Sequence, residues 1–141
     1  MVTRLLDVNV LVALAWPNHV HHARAHAWWR GVSDWATTPV TEAAFIRLAL
    51  NPHVVGRPVS LVEATSVLTK IRTTQGHTFL PDSASPTAWP FDVSRIATSG
   101  QITDAHLIAI AADAGAVLAT LDRGIPSMLS EEDRRHVLVI P

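Results

Sequence analysis

Apolar positions along this chain follow two periods. Short apolar or β-branched runs at residues 2–6, 35–38, 78–80, 116–119 and 137–140 read as strands. Between them, apolar residues recur at three- and four-residue spacing, which predicts helices over 10–15, 19–30, 42–50 and 61–72, and a shorter one over 93–98. A further helix opens at Thr103, its predicted cap, carries Leu107, Ile108, Ala111 and Ala114 on one face, and ends at Gly115. Its first turn holds Asp104, and Asp113 falls on the opposite, solvated side. Trp16-Pro17 stops the first helix. Pro39 breaks the second strand, and Thr41 caps the helix that follows. In the helix over 61–72, Leu61, Ala64, Leu68 and Ile71 are expected inward. Residues 51–58 and 82–90 read as loops, and 131–135 as a charged turn before the closing strand. Strands alternating with helices imply an α/β fold of three layers, a mainly parallel central sheet with helices on both faces, in one domain over 1–141.

Composition narrows this picture. The chain has 141 residues, of which 48% are hydrophobic, enough for one substantial core, and 16% are charged, low enough to suggest apolar surface hidden by a partner or a second copy. The net charge of −1 supplies no global field to attract nucleic acid. With no cysteine, disulfides and thiolate metal sites are excluded. Arg4 and the apolar residues after it faintly suggest a secretory signal, but Asp7 and Asn9 interrupt the apolar region. No apolar run approaches membrane-spanning length, so a cytoplasmic protein is expected.

Four acids change the picture more. Asp7 and Asp122 each follow a buried strand, while Glu42 and Asp104 each lie in the first turn of a helix. Strand ends and the helix starts after them share one rim of a parallel sheet, so the four can converge in one cleft. An N-terminal acid also serves as a cap or dipole partner, and a post-strand aspartate as turn chemistry. Asn9 is placed either to cap the first helix or to orient Asp7. Gathered together, such acids would raise one another's pKa, and a divalent cation would relieve the repulsion. Oxygen-only ligands select Mg²⁺ or Mn²⁺ over zinc, and such an ion activates water for in-line attack on phosphorus. His22 and His26 stand one helical turn apart, but no third ligand has matching spacing, so this helix reads as a polar face behind the packing edge of Trp28 and Trp29.

The segments LLDVNVLVAL, TEAAFIRL and ITDAHLIAIAADAGAVLATLDRGI resemble, in order and at ordinary spacing, the PIN-domain family, and closely its VapC toxins. The resemblance spans essentially the whole chain. It implies a PIN fold and a Mg²⁺- or Mn²⁺-dependent endoribonuclease that cleaves structured RNA (tRNA or rRNA) and arrests translation and growth. It also implies a homodimer restrained by a VapB-type antitoxin. The family's acidic quartet falls on Asp7, Glu42, Asp104 and Asp122, with Asp7 and Asp104 as principal metal ligands, and its hydroxyl two positions before the last acid falls on Thr120. Where some members carry a further acid, Arg123-Gly124 stand here. Arg47 and Arg123 are candidates to steer RNA, and the antitoxin would lie against the helices around Trp28 and Trp29.

Two other readings differ in kind. LLDVNVLV also resembles the nucleophile motif of haloacid-dehalogenase-like phosphatases, but Asn9 stands where that family places its second aspartate, and Lys70 is the sole lysine. A non-catalytic interaction module would use the same acids only as caps and turn residues. It would bind no divalent metal through them.

Overall fold

The computed structural model describes residues 2–141. Five short strands form the sheet: β1 (Arg4–Leu6), β2 (Trp35–Thr37), β3 (His77–Phe79), β4 (Val117–Thr120) and β5 (Val137–Val139). All neighbours pair in parallel, in the order β3-β2-β1-β4-β5. Parallel neighbours need crossovers, and the helices supply them: α1 (Val8–Ala15), α2 (His22–Trp29), α3 (Pro39–Ala49), α4 (Pro52–Val55), α5 (Leu61–Arg72) and α6 (Ile102–Asp113). Consecutive strand residues point to opposite faces. Leu6 and Ala119 therefore join Val10, Phe45 and Ala64 in a core beneath α1, α3 and α5. Leu5, Ala36 and Leu118 join Leu107, Ile108 and Met128 in a second core beneath α6. The predicted three layers are present.

From β1 the chain steps outward through β2 to β3, then returns to place β4 on the other side of β1. That reversal opens a crevice at the carboxyl ends of β1 and β4, the position at which doubly wound sheets bind their ligands. Gly115 takes φ +66° just past α6, where the Ala116 and Gly115 N–H groups bond the Ala111 and Ala112 carbonyls at 2.8 and 3.1 Å. This is the Schellman closure expected of a glycine at that place.

Several boundaries differ from the sequence reading. Pro39 does not separate strand from helix: it occupies the first turn of α3, where its fixed φ suits the helix and its missing N–H costs nothing. Thr38 is the cap residue, and Thr41 lies inside the helix, its hydroxyl accepting the Thr38 N–H at 3.2 Å. Thr103 likewise does not cap α6. A 3₁₀ turn over Ser99–Gln101 precedes that helix, and the Gln101 side chain accepts the Thr98 N–H at 3.1 Å. Residues 93–98 form turns rather than a helix, and 51–58 contain α4, capped by Asn51. Leu61 is 56% exposed and Ala114 is exposed, so neither belongs to the inward face assigned to it. Leu61 opens α5 and Ala114 closes α6, where a helix runs past the edge of the core it covers.

Candidate active site

Asp7 follows β1 and caps α1, which places a carboxylate at the floor of the crevice, 4% exposed. One carboxylate oxygen accepts the Val8 N–H at 2.7 Å, and the other accepts the Thr120 hydroxyl at 2.7 Å. Thr120 is the last residue of β4, and its oxygen also receives the Asn9 amide at 3.3 Å and the Asp122 N–H at 3.1 Å. Asn9 in turn accepts the Leu121 N–H at 3.2 Å. It does not cap α1, and its hydrogen-bonded link to Asp7 runs through Thr120: it clamps the end of β4 to the start of α1. Asp122 is exposed in the turn beyond, accepting the Gly124 N–H at 2.8 Å. Thr120 is thus the common partner of all three residues, with both lone pairs and its proton in use.

Asp104 enters from the first turn of α6. Its pKa is pushed up from 3.8 to about 6, first by burial and then by the negative charges of Asp7 and Asp122. The Asp7 pKa is also raised, chiefly by burial and further by Asp122, while the bonds from Thr120 and Val8 pull it back. Three aspartates far apart in sequence therefore act on one another electrostatically, as convergence on one rim requires.

Glu42 is held differently. It occupies the first turn of α3, and its side chain accepts the Thr37 hydroxyl at 2.6 Å. Arg72 donates to both of its carboxylate oxygens, at 3.0 and 3.2 Å. The charges that act on Asp104 are those of Asp7 and Asp122, and Glu42 is not one of them. Thr37 also contacts His77 Nε2 at 2.7 Å. Because the single Thr37 proton goes to the carboxylate, His77 must donate through Nε2–H, which fixes its tautomer. Burial and the Arg72 charge lower the His77 pKa, with Glu42 acting against them. Sequence reasoning missed Thr37, Arg72 and His77. Arg72 lies 30 residues from Glu42, and no local spacing announces the pair. Arg47 and Arg123 are both exposed.

A hard divalent cation suits this donor set. Every candidate ligand is a carboxylate oxygen, and the Asp104 pKa is raised first by burial and then by the charges of Asp7 and Asp122, a cost of ionisation that a cation would relieve. Among the described residues, no three His, Asp or Glu side chains form a ready-made cage. Mg²⁺ needs none, since it keeps several waters and binds through one or two carboxylates. The histidines of α2 are otherwise engaged: His22 Nδ1 bonds the Ala13 carbonyl at 2.7 Å and His26 Nε2 the Leu14 carbonyl at 3.0 Å. They satisfy carbonyls that the end of α1 leaves open.

A family model described as the PIN domain matches residues 4–128. The chain is similar to ribonuclease VapC38 of Mycobacterium tuberculosis, 41% identical over 135 residues that span 94% of this chain and 94% of that protein. It is likewise similar to ribonuclease VapC39 of the same organism, 41% identical over 131 residues, 91% of this chain and 94% of that one. Among solved structures, Mycobacterium tuberculosis VapC20, described as a sarcin-ricin loop cleaving toxin, superposes with a TM-score of 0.64 at 17% identity. That match covers 98% of this chain and 99% of the other, and it bears on the fold alone.

Proposed function

This chain belongs to the PIN-domain family and, within it, to the VapC-type toxins; from that premise we propose a metal-dependent endoribonuclease that cuts structured RNA, tRNA or rRNA, and so arrests translation and growth. The observation that carries the reading is the placement of Asp7, Asp104 and Asp122 at the switch point of the sheet, with Asp104 raised to about 6. The interaction-module reading accounts for Asp7 as a cap and Asp122 as a turn residue but not for Asp104 beside them, and the phosphatase reading lacks its second aspartate at Asn9. In the proposed mechanism Asp7 and Asp104 hold a Mg²⁺ or Mn²⁺ ion, directly or through water. Asp122 and Glu42 complete the acidic pocket and orient the attacking water. When bound, the cation supplies an acidified water and positive charge for the developing negative charge at phosphorus. Thr120 keeps the Asp7 carboxylate in one rotamer, and its hydrogen bond favours the charged form against the rise in pKa that burial imposes. Asn9 holds the two strand ends in register, so Asp7 and Asp122 keep their relative positions.

The proposed partners are RNA, a VapB-type antitoxin and a second copy of the chain, with the reaction in the cytoplasm. No helix among the described residues is long and apolar enough to cross a membrane. An apolar cleft lined by Leu11, Leu14, Trp29 and Ile71 lies between α1, α2 and α5, and it supports antitoxin docking on the tryptophan-bearing helix.

The test is cleavage of a small-RNA pool by antitoxin-free protein, with Mg²⁺ or Mn²⁺, with chelator, and with Asp7→Ala or Asp104→Asn. Discrete fragments should vanish with chelator and with either substitution. Fragments that survive both would refute the assignment, and end-sequencing of the true products identifies the RNA and the bond.

A further inference from the structure

Arg72 does more than neutralise Glu42. Only Nη1 reaches the Glu42 carboxylate, and no hydrogen bond among the described residues uses Nε or Nη2. The N–H groups on those two nitrogens form one open edge of a guanidinium fork, the edge that matches a phosphate. The guanidinium carbon lies 4.5 Å from the centroid of the Phe79 ring, which holds the fork in place by cation–π attraction. Phe79 is itself 41% exposed, a large apolar side chain left in solvent on an edge strand. It ends β3 and stands in register with Thr37, whose hydroxyl holds Glu42.

The carboxyl rim of the sheet therefore carries, in spatial order, Asp7 after β1, the Thr37–Glu42 pair at β2, and Phe79 with Arg72 at β3. Neighbouring strands lie about 4.8 Å apart, so Phe79 stands roughly 10 Å from the acidic crevice. That is the distance scale of nucleotides flanking a bond placed in the crevice. A chain of net charge −1 must attract RNA locally if it attracts it at all.

We propose that Arg72 and Phe79 form a contact platform for single-stranded RNA, in which the open guanidinium edge takes a backbone phosphate and the exposed ring–guanidinium surface takes an unpaired base. The inference rests on the ribonuclease reading above and deepens it by naming where the flanking RNA lies. Unpaired bases stack on aromatic rings and on arginine planes, and the two side by side serve bases of any identity. Glu42 binds a different nitrogen of the same guanidinium and offsets its charge, so RNA binding and the Arg72–Glu42 ion pair are coupled.

The experiment is fluorescence anisotropy with a labelled single-stranded RNA of mixed sequence, in chelator so that no cleavage occurs, over a series of salt concentrations. Phe79→Leu keeps the apolar bulk and removes the π-face; it should weaken binding by roughly five- to a hundredfold with an unchanged salt slope, and Phe79→Trp should restore it. Arg72→Gln should weaken binding and flatten the salt slope by somewhat less than one counterion, about 0.7. Glu42→Gln should tighten binding, and that gain should disappear in the Arg72→Gln background. Thermal melts confirm that each variant is folded. If the unaltered protein binds the RNA while Phe79→Leu and Arg72→Gln bind within about twofold of it, the platform is refuted and the ribonuclease reading stands. If the unaltered protein binds no RNA in chelator, the platform is refuted, and cleavage in Mg²⁺ or Mn²⁺ decides the ribonuclease reading separately.

Discussion

Asp104 carries the clearest conflict in the molecule at the scale of one residue. Its carboxyl ionises near 3.8 in an unfolded chain and near 6 in the folded one. Between those values the native state holds a proton that the unfolded state has released, so stability falls as pH rises through the window from about 4 to about 6. At neutral pH the ionised group is a net cost to the fold, fully present above the higher value and absent below the lower. Asp104→Asn removes that cost. After discounting for the solvent that reaches this half-buried side chain, we expect a gain of about 1 kcal/mol, a few degrees in melting temperature at pH 7 in metal-free buffer. The gain should close as pH falls to 4, and thermal melts at the two pH values check it. The same substitution should abolish cleavage, so stability and activity move in opposite directions. Asp104, Asp7 and Asp122 were legible because each follows a strand end or opens a helix, and both places map to one rim. The partners that hold Glu42 were not. Thr37, Arg72 and His77 meet it through tertiary packing, and in sequence Arg72 is one more solvated charge at the end of an amphipathic helix.

At the scale of elements, two glycines separate conformational cost from steric cost. Gly115 has φ +66°, and a Cβ there would meet nothing within 4 Å. Gly115→Ala therefore loses only the left-handed preference of glycine, about 1 kcal/mol, and leaves cleavage unchanged. Gly76 has φ +91°, and its Cβ would fall 1.9 Å from the Ser33 carbonyl oxygen. That oxygen belongs to backbone just before β2, so Gly76→Ala must part β3 from β2, at a cost several times larger. Urea unfolding of the two variants tests the contrast, and equal losses would refute it. Gly115 was readable because it ends a long periodic helix. Gly76 was not, because nothing in sequence announces the chain that passes beside it. The same division runs through the other elements. Strongly periodic stretches such as α5 were found with their ends, while Pro39 and Thr103 were misassigned. A proline serves equally as a breaker and as a first-turn residue, and Thr98 with Gln101 captured the turn before Thr103 could cap it.

For the whole molecule, the sheet order decides what the acids can do. Alternation of strands and helices implied three layers, but not that five helices would cover one face while α6 and irregular 3₁₀ turns cover the other. That asymmetry follows from the reversal at β1. Everything before β3 crosses on one side, and the return to β4 crosses on the other. The reversal brings Asp7 and Asp122 together and lets Asp104 arrive from the opposite layer, so the repulsion among them is a property of the topology rather than of any one element. A ligand that binds only where all three layers meet stabilises the whole fold by mass action, by about 2.7 kcal/mol at a hundred times its dissociation constant. On the proposed function, Mn²⁺ or Mg²⁺ should raise the melting temperature of the protein in proportion to the logarithm of its concentration, and chelator should reverse the shift. Asp104→Asn should begin from a higher melting temperature at pH 7 yet gain little from the ion. An equal shift in that variant would mean that the cation binds elsewhere, and the metal assignment for this crevice would fail.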